Sequence, residues 1–409
     1  MRLGVYTDLV YRRDECGLST DLSFILFATA LRRWVDEIVL FGRLDPEPGR
    51  SSYSVPTDRV RLVALPHYAS VASVPDVLRA FRRARATFSA ELEQLDAVWI
   101  FGPHPFALEF ARVARKQGTP VFFGIRQELP TYIARRLPSR WWLWAIPAAH
   151  GLELAFRRLA RSTPTVVVGQ RLAAIYGRHG GPVLATGVSL VDAADVVSRA
   201  QAEKSWEGSL TLLSVGRLES EKNPLLLPEI LALLRDRDER WRLRVVGIGP
   251  MAADVRRRAE KLGVADALDL CGYVAFGEDL FAEYRGAHAF LHVSLTEGLP
   301  QVLFEAQAAG LPIVATDVGG VSAALSGGGT GLLIPPDNAE AAVSALLRLA
   351  ADPDLRRRLV HAGLSIAAKE TCDAQTERIA RFFRSQLPGG GNAVLPEPLL
   401  EHDESPDVG

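Results

Sequence analysis

Short apolar runs closed by glycine, proline or charged residues recur along this chain and alternate with stretches of helical period. In the first half the apolar runs fall at 2–7, 37–41, 60–65, 97–101, 120–125 and 165–168, with helix-like stretches that include 22–33, 77–92 and 105–116. Strands alternating with helices predict parallel βα units. A polar loop is expected over 8–20, after the first strand. A second strand–helix series starts at Leu210 and ends near Ala367. The pattern predicts a first α/β domain over 1–190, a linker over 191–208 within the stretch 188–208, and a second α/β domain over 209–370. A helix follows at 371–387, with its periodic part at 375–386. The tail 388–409 is acidic and proline-containing, has little to bury, and is expected to be disordered. There are no sequence repeats.

The stretch Glu297-Gly-Leu-Pro-Gln-Val-Leu-Phe-Glu305 carries the most chemistry. It follows an apolar run at 289–295 and opens a helix expected over 300–309, so one carboxylate lies in a strand-to-helix loop and the other about two turns into the helix. In an open α/β sheet that loop lies at the carboxyl end of a strand, where ligands bind. The N–H groups around Gly298 to Gln301 favour an anion there. Amides for phosphate and carboxylates for hydroxyls suit a sugar-like, phosphate-bearing ligand; a loop carboxylate and a solvated helix glutamate are the alternative. The strand-like run 210–216 is followed by Arg217-Leu-Glu-Ser-Glu-Lys222-Asn-Pro224, two cations astride a loop and a helix start. Arginine grips phosphate bidentately and lysine adds a point charge; surface solubility is the alternative. Beyond these stand Gly247-Ile-Gly249-Pro250, Leu270-Cys-Gly-Tyr273-Val274, Ser294, Gly319-Gly320 and Gly331-Leu-Leu-Ile. In the first half, Phe101-Gly-Pro-His104 closes an apolar strand, where a ligand-facing histidine is expected; a structural or solvated histidine is the alternative.

Together these residues resemble glycosyltransferase family 4, retaining sugar transferases of the GT-B fold. The resemblance rests on Gly216-Arg217 with Lys222, Gly247-x-Gly249-Pro250, Gly272-Tyr273-Val274, Ser294-x-x-Glu297-Gly-Leu-Pro-x4-Glu305, Ala315-Thr-Asp-Val-Gly-Gly320 and Gly331-Leu-Leu-Ile. It implies two Rossmann-like, doubly wound parallel-sheet domains facing an interdomain cleft, with the last helix crossing back to the first domain. It also implies a nucleotide sugar as co-substrate, no separate cofactor, and a glycan, lipid-linked or small-molecule acceptor. Carried over by motif, Glu305 binds the ribose hydroxyls and Glu297 faces the donor sugar. The amides of Gly298, Leu299 and Gln301 hold sugar and phosphate, while Pro300 has no N–H to give. Arg217 and Lys222 clamp the diphosphate, where two fixed cations stabilise leaving-group charge and substitute for a metal. Gly249 and Ser294 fall on the donor side, Tyr273 and Val274 border the base or simply pack, and Gly17 brings the first loop to the phosphates or is a plain turn glycine. The sequence departs from the family at Gly124-Ile-Arg126-Gln-Glu128, where a histidine is usual. Arginine is no base at neutral pH, so Arg126 positions acceptor or phosphate, or the correspondence is shifted. Glu128 is placed to steer an acceptor hydroxyl. No carboxylate nucleophile stands out. The resemblance implies a same-face substitution in which the departing phosphate oxygen accepts the acceptor's proton.

A length of 409 residues exceeds one ordinary core. A hydrophobic content of 48% with 23% charged residues describes a soluble globular chain. Three scattered cysteines give neither metal spacing nor a disulfide framework, which points to a reducing cytosol. The absence of a secretory start or a spanning apolar run predicts a cytoplasmic location, the inner face of the cell membrane included. The net charge of −1 hides an asymmetry: residues 1–190 hold 25 Lys and Arg against 16 Asp and Glu, and 191–409 hold 22 against 32. A basic half attracts anionic surfaces such as lipid head groups, or is only an arginine-rich exterior; no nucleic-acid partner is expected. Arg79, Arg82, Arg83 and Arg85 stand beside Leu78, Phe81 and Phe88, and Arg135, Arg136 and Arg140 precede Trp141-Trp-Leu-Trp144. Both suit an interfacial helix or an inter-helix core, and core is expected for the tryptophans. Asp236-x-Asp238 and Asp352-x-Asp354 have the spacing of metal-dependent transferases but sit in polar helix ends, so no metal is expected. Two rival functions stay open: a non-catalytic sugar-nucleotide or membrane-surface binding protein, and a nicotinamide-dependent oxidoreductase built on Gly247-x-Gly249-x-x-Ala252 with Asp269.

Overall fold

The chain divides at Thr186 and again at Ala374, into a first unit of Met1–Thr186 with the segment from Gln375 on, and a second of Gly187–Ala374. The computed structural model describes residues 1–68, 74–135 and 143–388; the tail expected to be disordered lies, from residue 389, outside the described residues. The stretch expected as a linker, 191–208, belongs to the second unit. Capping explains why. Asp192 and Asp195 close a capping box around the turn Ala193–Asp195, and Ser198 and Gln201 do the same for the short helix Arg199–Ala202. The Val197 N–H donates to the Ala308 carbonyl at 2.9 Å, which ties the stretch to that unit.

The first unit contains β1 (Arg2–Asp14), β2 (Gly17–Thr20), β3 (Glu37–Leu44), β4 (Tyr53–Ser54), β5 (Val60–Leu65), β6 (Ala97–Gly102), β7 (Val121–Ile125), β8 (Thr165–Val168) and β9 (Val183–Thr186). Its parallel strands run in the order β5-β3-β1-β6-β7-β8-β9. The region expected as a polar loop, 8–20, is instead a hairpin. After a register shift between Tyr6 and Val10, β1 continues and Tyr11–Asp14 pair antiparallel with β2, which in turn pairs with β4. The aromatic and β-branched run Leu9-Val-Tyr11 favours strand, and Asp14 accepts from the Cys16 N–H at 2.9 Å to fix the turn.

Helices cover both faces of this sheet. On one face Phe88, from the helix Val74–Glu91, stacks on Phe110, from the helix Pro105–Lys116, at 4.4 Å and meets Phe41 edge-on at 4.9 Å. The aromatic stripe at Phe81 and Phe88 is therefore core, not an interfacial face. The final helix, Cys372–Gln386, sets Phe383 against Trp99 (5.4 Å) and Phe122 (4.2 Å), and the Trp34 indole donates to Thr376 at 3.1 Å.

The second unit is a single parallel sheet of β10 (Leu210–Val215), β11 (Trp241–Val246), β12 (Leu268–Gly272), β13 (Ala289–His292), β14 (Ile313–Thr316) and β15 (Leu332–Ile334), in the order β12-β11-β10-β13-β14-β15. Strand order reverses between β10 and β13, so the loops leaving these two strands open a crevice at their carboxyl ends. Strand residues alternate between two cores: Leu212, Leu243 and Leu291 face one helical layer, Leu213, Val246 and Phe290 the other. Among the described residues no helix is long and apolar enough to cross a membrane.

Phe383 is fully buried, so Phe383→Ala is expected to remove about 3–5 kcal/mol from the first unit. Urea denaturation followed by tryptophan fluorescence should show the first unit's transition at lower denaturant.

Candidate active site

The reversal point of the second sheet gathers the residues singled out by the sequence. Gly216 and Arg217 follow β10, and Ser294 to Leu299 follow β13 and lead into the helix Gln301–Ala308. Backbone hydrogen bonds lace these loops together. The Leu295 N–H donates to the Glu221 carbonyl at 2.9 Å, the Leu218 N–H to Ile248 at 2.9 Å and the Gly247 N–H to Gly272 at 2.7 Å, while the Thr316 hydroxyl donates to the Ser294 carbonyl at 2.6 Å. Two glycines make the approach possible. A Cβ at Gly319, whose φ is +56°, would lie 1.9 Å from the Glu297 carbonyl oxygen, and one at Gly247 would lie 1.9 Å from that of Gly216. The chain thus spends its glycine-rich turn on its own neighbouring loop. Asp269, the acid of the nicotinamide alternative, lies within β12 and is paired with Arg244 at 2.6 Å.

Glu297 is nearly buried and its Oε1 accepts from the Lys222 ammonium at 2.5 Å. The His292 Nε2 lies 3.0 Å from the same oxygen, off the line for an N–H donor, so its influence is electrostatic rather than a formed hydrogen bond. Burial alone would raise the Glu297 carboxyl. The neighbouring His292 and Lys222 outweigh burial and hold it at about 2. Glu305 shows the reverse balance. It is fully buried and accepts from the Tyr284 hydroxyl at 2.7 Å; burial dominates, the tyrosine opposes it, and the carboxyl rises to about 7. Eight residues apart on one loop and helix, the two acids are shifted in opposite directions, and neither is the solvated carboxylate of the alternative reading. Sequence reasoning did not pick out His292 or Tyr284. His292 ends an apolar strand, the same signal that marked His104.

Lys222 and Glu297 are brought together; Arg217 takes another course. Its guanidinium is half exposed and reaches Glu219 (2.6 Å) and Glu221 (3.2 Å) of its own loop. A small pocket beside it is bounded by Ser214, Gly216, Arg217, Lys222, His292 and Ser294. Gly249 packs its backbone against Leu218, where a Cβ would meet the Leu218 oxygen at 2.4 Å. Gly298 and Leu299 lie in the loop and Gln301 starts the helix. Beyond β12, Tyr273 is exposed, whereas Val274 packs against the second core. Both Asp-x-Asp pairs have structural work: Asp238 binds Arg240 and Asp352 caps the helix Pro353–Ala367. Among the described residues no group of three His, Cys, Asp or Glu is placed to hold a metal ion.

The first sheet reverses between β1 and β6, and a polar network lies there. The His104 Nδ1 is 3.1 Å from the Tyr6 hydroxyl and its Nε2 is 3.4 Å from the Asp8 carboxylate. With hydrogen on Nε2, facing Asp8, Nδ1 accepts from Tyr6. Burial first, opposed by Asp8 and aided by Arg43, holds His104 below its usual value. Asp8 also accepts from Arg43 (3.3 Å) and from Tyr68 (2.8 Å); Tyr6, Asp8, Arg43 and Tyr68 were not legible as a set. Gly17 opens β2 opposite Asp14, beside the hairpin turn, rather than lying in a strand-to-helix loop. Arg126 follows β7 directly, over the rings of Phe24 (4.3 Å) and Phe101 (6.0 Å). Glu128, expected to steer an acceptor, is gripped by Arg171 at 3.1 Å through both oxygens. Arg136, Arg140, Trp141 and Trp142 lie outside the described residues, and Trp144, expected in a core, is 62% exposed.

Residues 198–365 match the family of glycosyl transferases group 1. D-inositol 3-phosphate glycosyltransferase of Actinosynnema mirum is 35% identical over 183 residues, which is 43% of this chain and 44% of that relative. The matched part thus spans less than half the length of the curated relatives. Sucrose-phosphate synthase of Thermosynechococcus elongatus superposes over 94% of this chain and 98% of its own with a TM-score of 0.70 at 17% identity. Anabaena HepE, solved in complex with UDP, covers 94% of this chain and 100% of its own with a TM-score of 0.68 at 14% identity. The likeness to these structures is one of fold, the Rossmann-like parallel-sheet pair of the GT-B glycosyltransferases.

The Glu305 balance has a measurable consequence. Its folded value of about 7 exceeds the ordinary carboxyl value of 4.5, so its neutral form favours folding fully below pH 4.5 and that contribution is lost as pH rises to about 7. Glu305→Gln does not titrate. Relative to the parent protein it is expected to gain on the order of 3 kcal/mol of stability between pH 4.5 and 8, as read by denaturant unfolding at both ends of that window.

Proposed function

We infer that this chain, whose residues 198–365 form a group 1 glycosyl transferase domain, moves a sugar from a nucleotide-sugar donor to a hydroxyl acceptor. The observation that carries the reading is the part-buried Lys222–Glu297 pair at the reversal point of the second sheet, with buried Glu305 on the helix that follows. A lysine held there by a carboxylate is a fixed cation for the departing diphosphate, and fixed charge costs no reorganisation as the bond breaks. Arg217 adds a second cation by exchanging its loop glutamates for phosphate. Glu297 orients Lys222 and accepts from a sugar hydroxyl. Glu305, already an acceptor for Tyr284, takes the ribose hydroxyls. The amides at the start of the helix Gln301–Ala308 receive phosphate oxygens.

In this reading the sugar keeps its anomeric configuration by substitution on one face. The glycosidic C–O bond to the phosphate breaks, the acceptor oxygen bonds to the same carbon, and the departing phosphate oxygen takes the acceptor's proton. The reaction needs no separate cofactor, and the two cations serve where a metal would. HepE was solved with UDP, which supports a nucleotide diphosphate as this chain's ligand too. A place in glycan, glycolipid or polysaccharide assembly follows from the acceptor class.

One surface favours work beside an anionic membrane. The helices Pro105–Lys116 and Ala145–Leu159 bound a groove lined by Leu108, Leu159, Arg112, Arg115, Lys116 and Arg158. Leu143, Trp144 and Leu154, at the start and along the second of these helices, are exposed. Bulky apolar groups beside cations suit a lipid interface.

Purified protein offered a panel of nucleotide sugars should release nucleotide from one donor, equally with and without EDTA. Lys222→Ala is expected to slow release about 100-fold or more, and Glu305→Ala to abolish donor binding. Binding without turnover in the presence of varied acceptors would favour the non-catalytic reading, and a covalent glycosyl-enzyme would exclude same-face substitution. In flotation assays, vesicles containing an anionic lipid should carry the protein at low salt and release it at high salt; neutral vesicles should not carry it, and equal flotation on both would remove the charge argument.

A further inference from the structure

The carboxyl edge of the first sheet holds a charge that nothing described in the chain balances. Arg126 leaves the end of β7 with its guanidinium 4.3 Å from the ring centre of Phe24 and 6.0 Å from that of Phe101. Among the described residues it makes no hydrogen bond and no ion pair. Neighbouring cations of this unit are matched: Arg43 with Asp8, Arg157 with Glu153, Arg171 with Glu128. Glu128 lies two residues from Arg126 and still gives both oxygens to Arg171. Arg126 is half-buried, and the two rings stack on its guanidinium but offer its N–H groups no acceptor. Burial depresses the Arg126 value, opposed by Tyr132 and Tyr11, yet guanidinium stays charged at neutral pH. A planar fork of donors at the carboxyl end of a parallel strand, beside the edge that carries His104, is placed for an oxyanion.

We propose that Arg126 binds the phosphate or carboxylate of an anionic acceptor, so that this unit selects acidic sugars or sugar phosphates over neutral ones. The proposal rests on the transferase reading for the word acceptor; the oxyanion site itself does not.

Calorimetric titration of the full-length protein with glucose, glucose 6-phosphate, glucuronate and inorganic phosphate, each with and without UDP, tests it. At least one oxyanion probe should bind where glucose does not, and comparing the phosphates with glucuronate tells which oxyanion the site takes. Arg126→Met should weaken that binding about 10- to 100-fold, the loss expected for a charge-assisted pair, while Arg126→Lys keeps part of it. UDP affinity should be the same in all three proteins. Binding of glucose equal to that of the charged probes, no binding of any charged probe, or full binding by Arg126→Met would overturn the proposal. So would a fall in UDP affinity in Arg126→Met, because the anion would then be the donor's phosphate. Melting temperature separates a structural role: Arg126→Met should melt no lower than the parent, whereas a lower value would make the guanidinium a clamp on Phe24 and Phe101. If no nucleotide sugar is bound or cleaved while oxyanion binding at Arg126 persists, the transferase reading fails and the site stands.

Discussion

The contact between Lys222 and Glu297 governs the second unit's functional edge. The two charges are only partly withdrawn from water, and a 2.5 Å approach between residues 75 positions apart demands that two loops meet almost without clearance. The reversal of strand order between β10 and β13 brings the loops side by side, and glycines at 247 and 319 let neighbouring backbones close behind them. The glycines, the strand order and the ion pair form one constraint: adding a Cβ at Gly319 would push the Glu297 carbonyl and with it the carboxylate that holds Lys222.

The two acids of this segment meet different surroundings. Glu297 meets a lysine and a histidine and is held ionised; Glu305 meets a tyrosine and apolar side chains and is raised toward neutrality. The two carboxyls of one short segment are thus displaced in opposite directions by their different neighbours. The first unit solves its own edge differently. Asp8 is surrounded by Arg43, Tyr68 and His104, a nearly satisfied network, while Arg126 a few strands away has aromatic faces and no acid. One sheet edge thus carries both a closed polar network and a guanidinium stacked on rings.

The elements around these edges are fixed by local chemistry. Capping boxes at Asp192–Asp195 and Ser198–Gln201 turn a stretch that composition marks as linker into an ordered edge of the second unit. The final helix places Phe383 between Trp99 and Phe122 and so belongs with the first unit despite its position in the chain. An unexpected hairpin extends β1 past residue 8 because its aromatic and β-branched residues favour strand even where several charges interrupt them.

What the sequence determined by itself is the set of parts. Apolar period located the strands of the first sheet other than β2, β4 and β9, the second strand–helix series and the helix after Glu297; the spacing of Arg217, Lys222, Glu297 and Glu305 placed them on loops and a helix at strand ends, because those relations lie within a few residues of one another. Only the tertiary structure decided what meets what. It paired Lys222 with Glu297, drew His292 beside them, gave Glu305 to Tyr284 and Glu128 to Arg171, and left Arg126 on two rings. It also took Phe81 and Phe88 into the core and left Trp144 outside, where composition alone allowed either. The physical reason is range. Periodicity and capping act over one or two turns of chain, whereas burial and charge pairing depend on which strands become neighbours, and that is settled by the folding of the whole sheet.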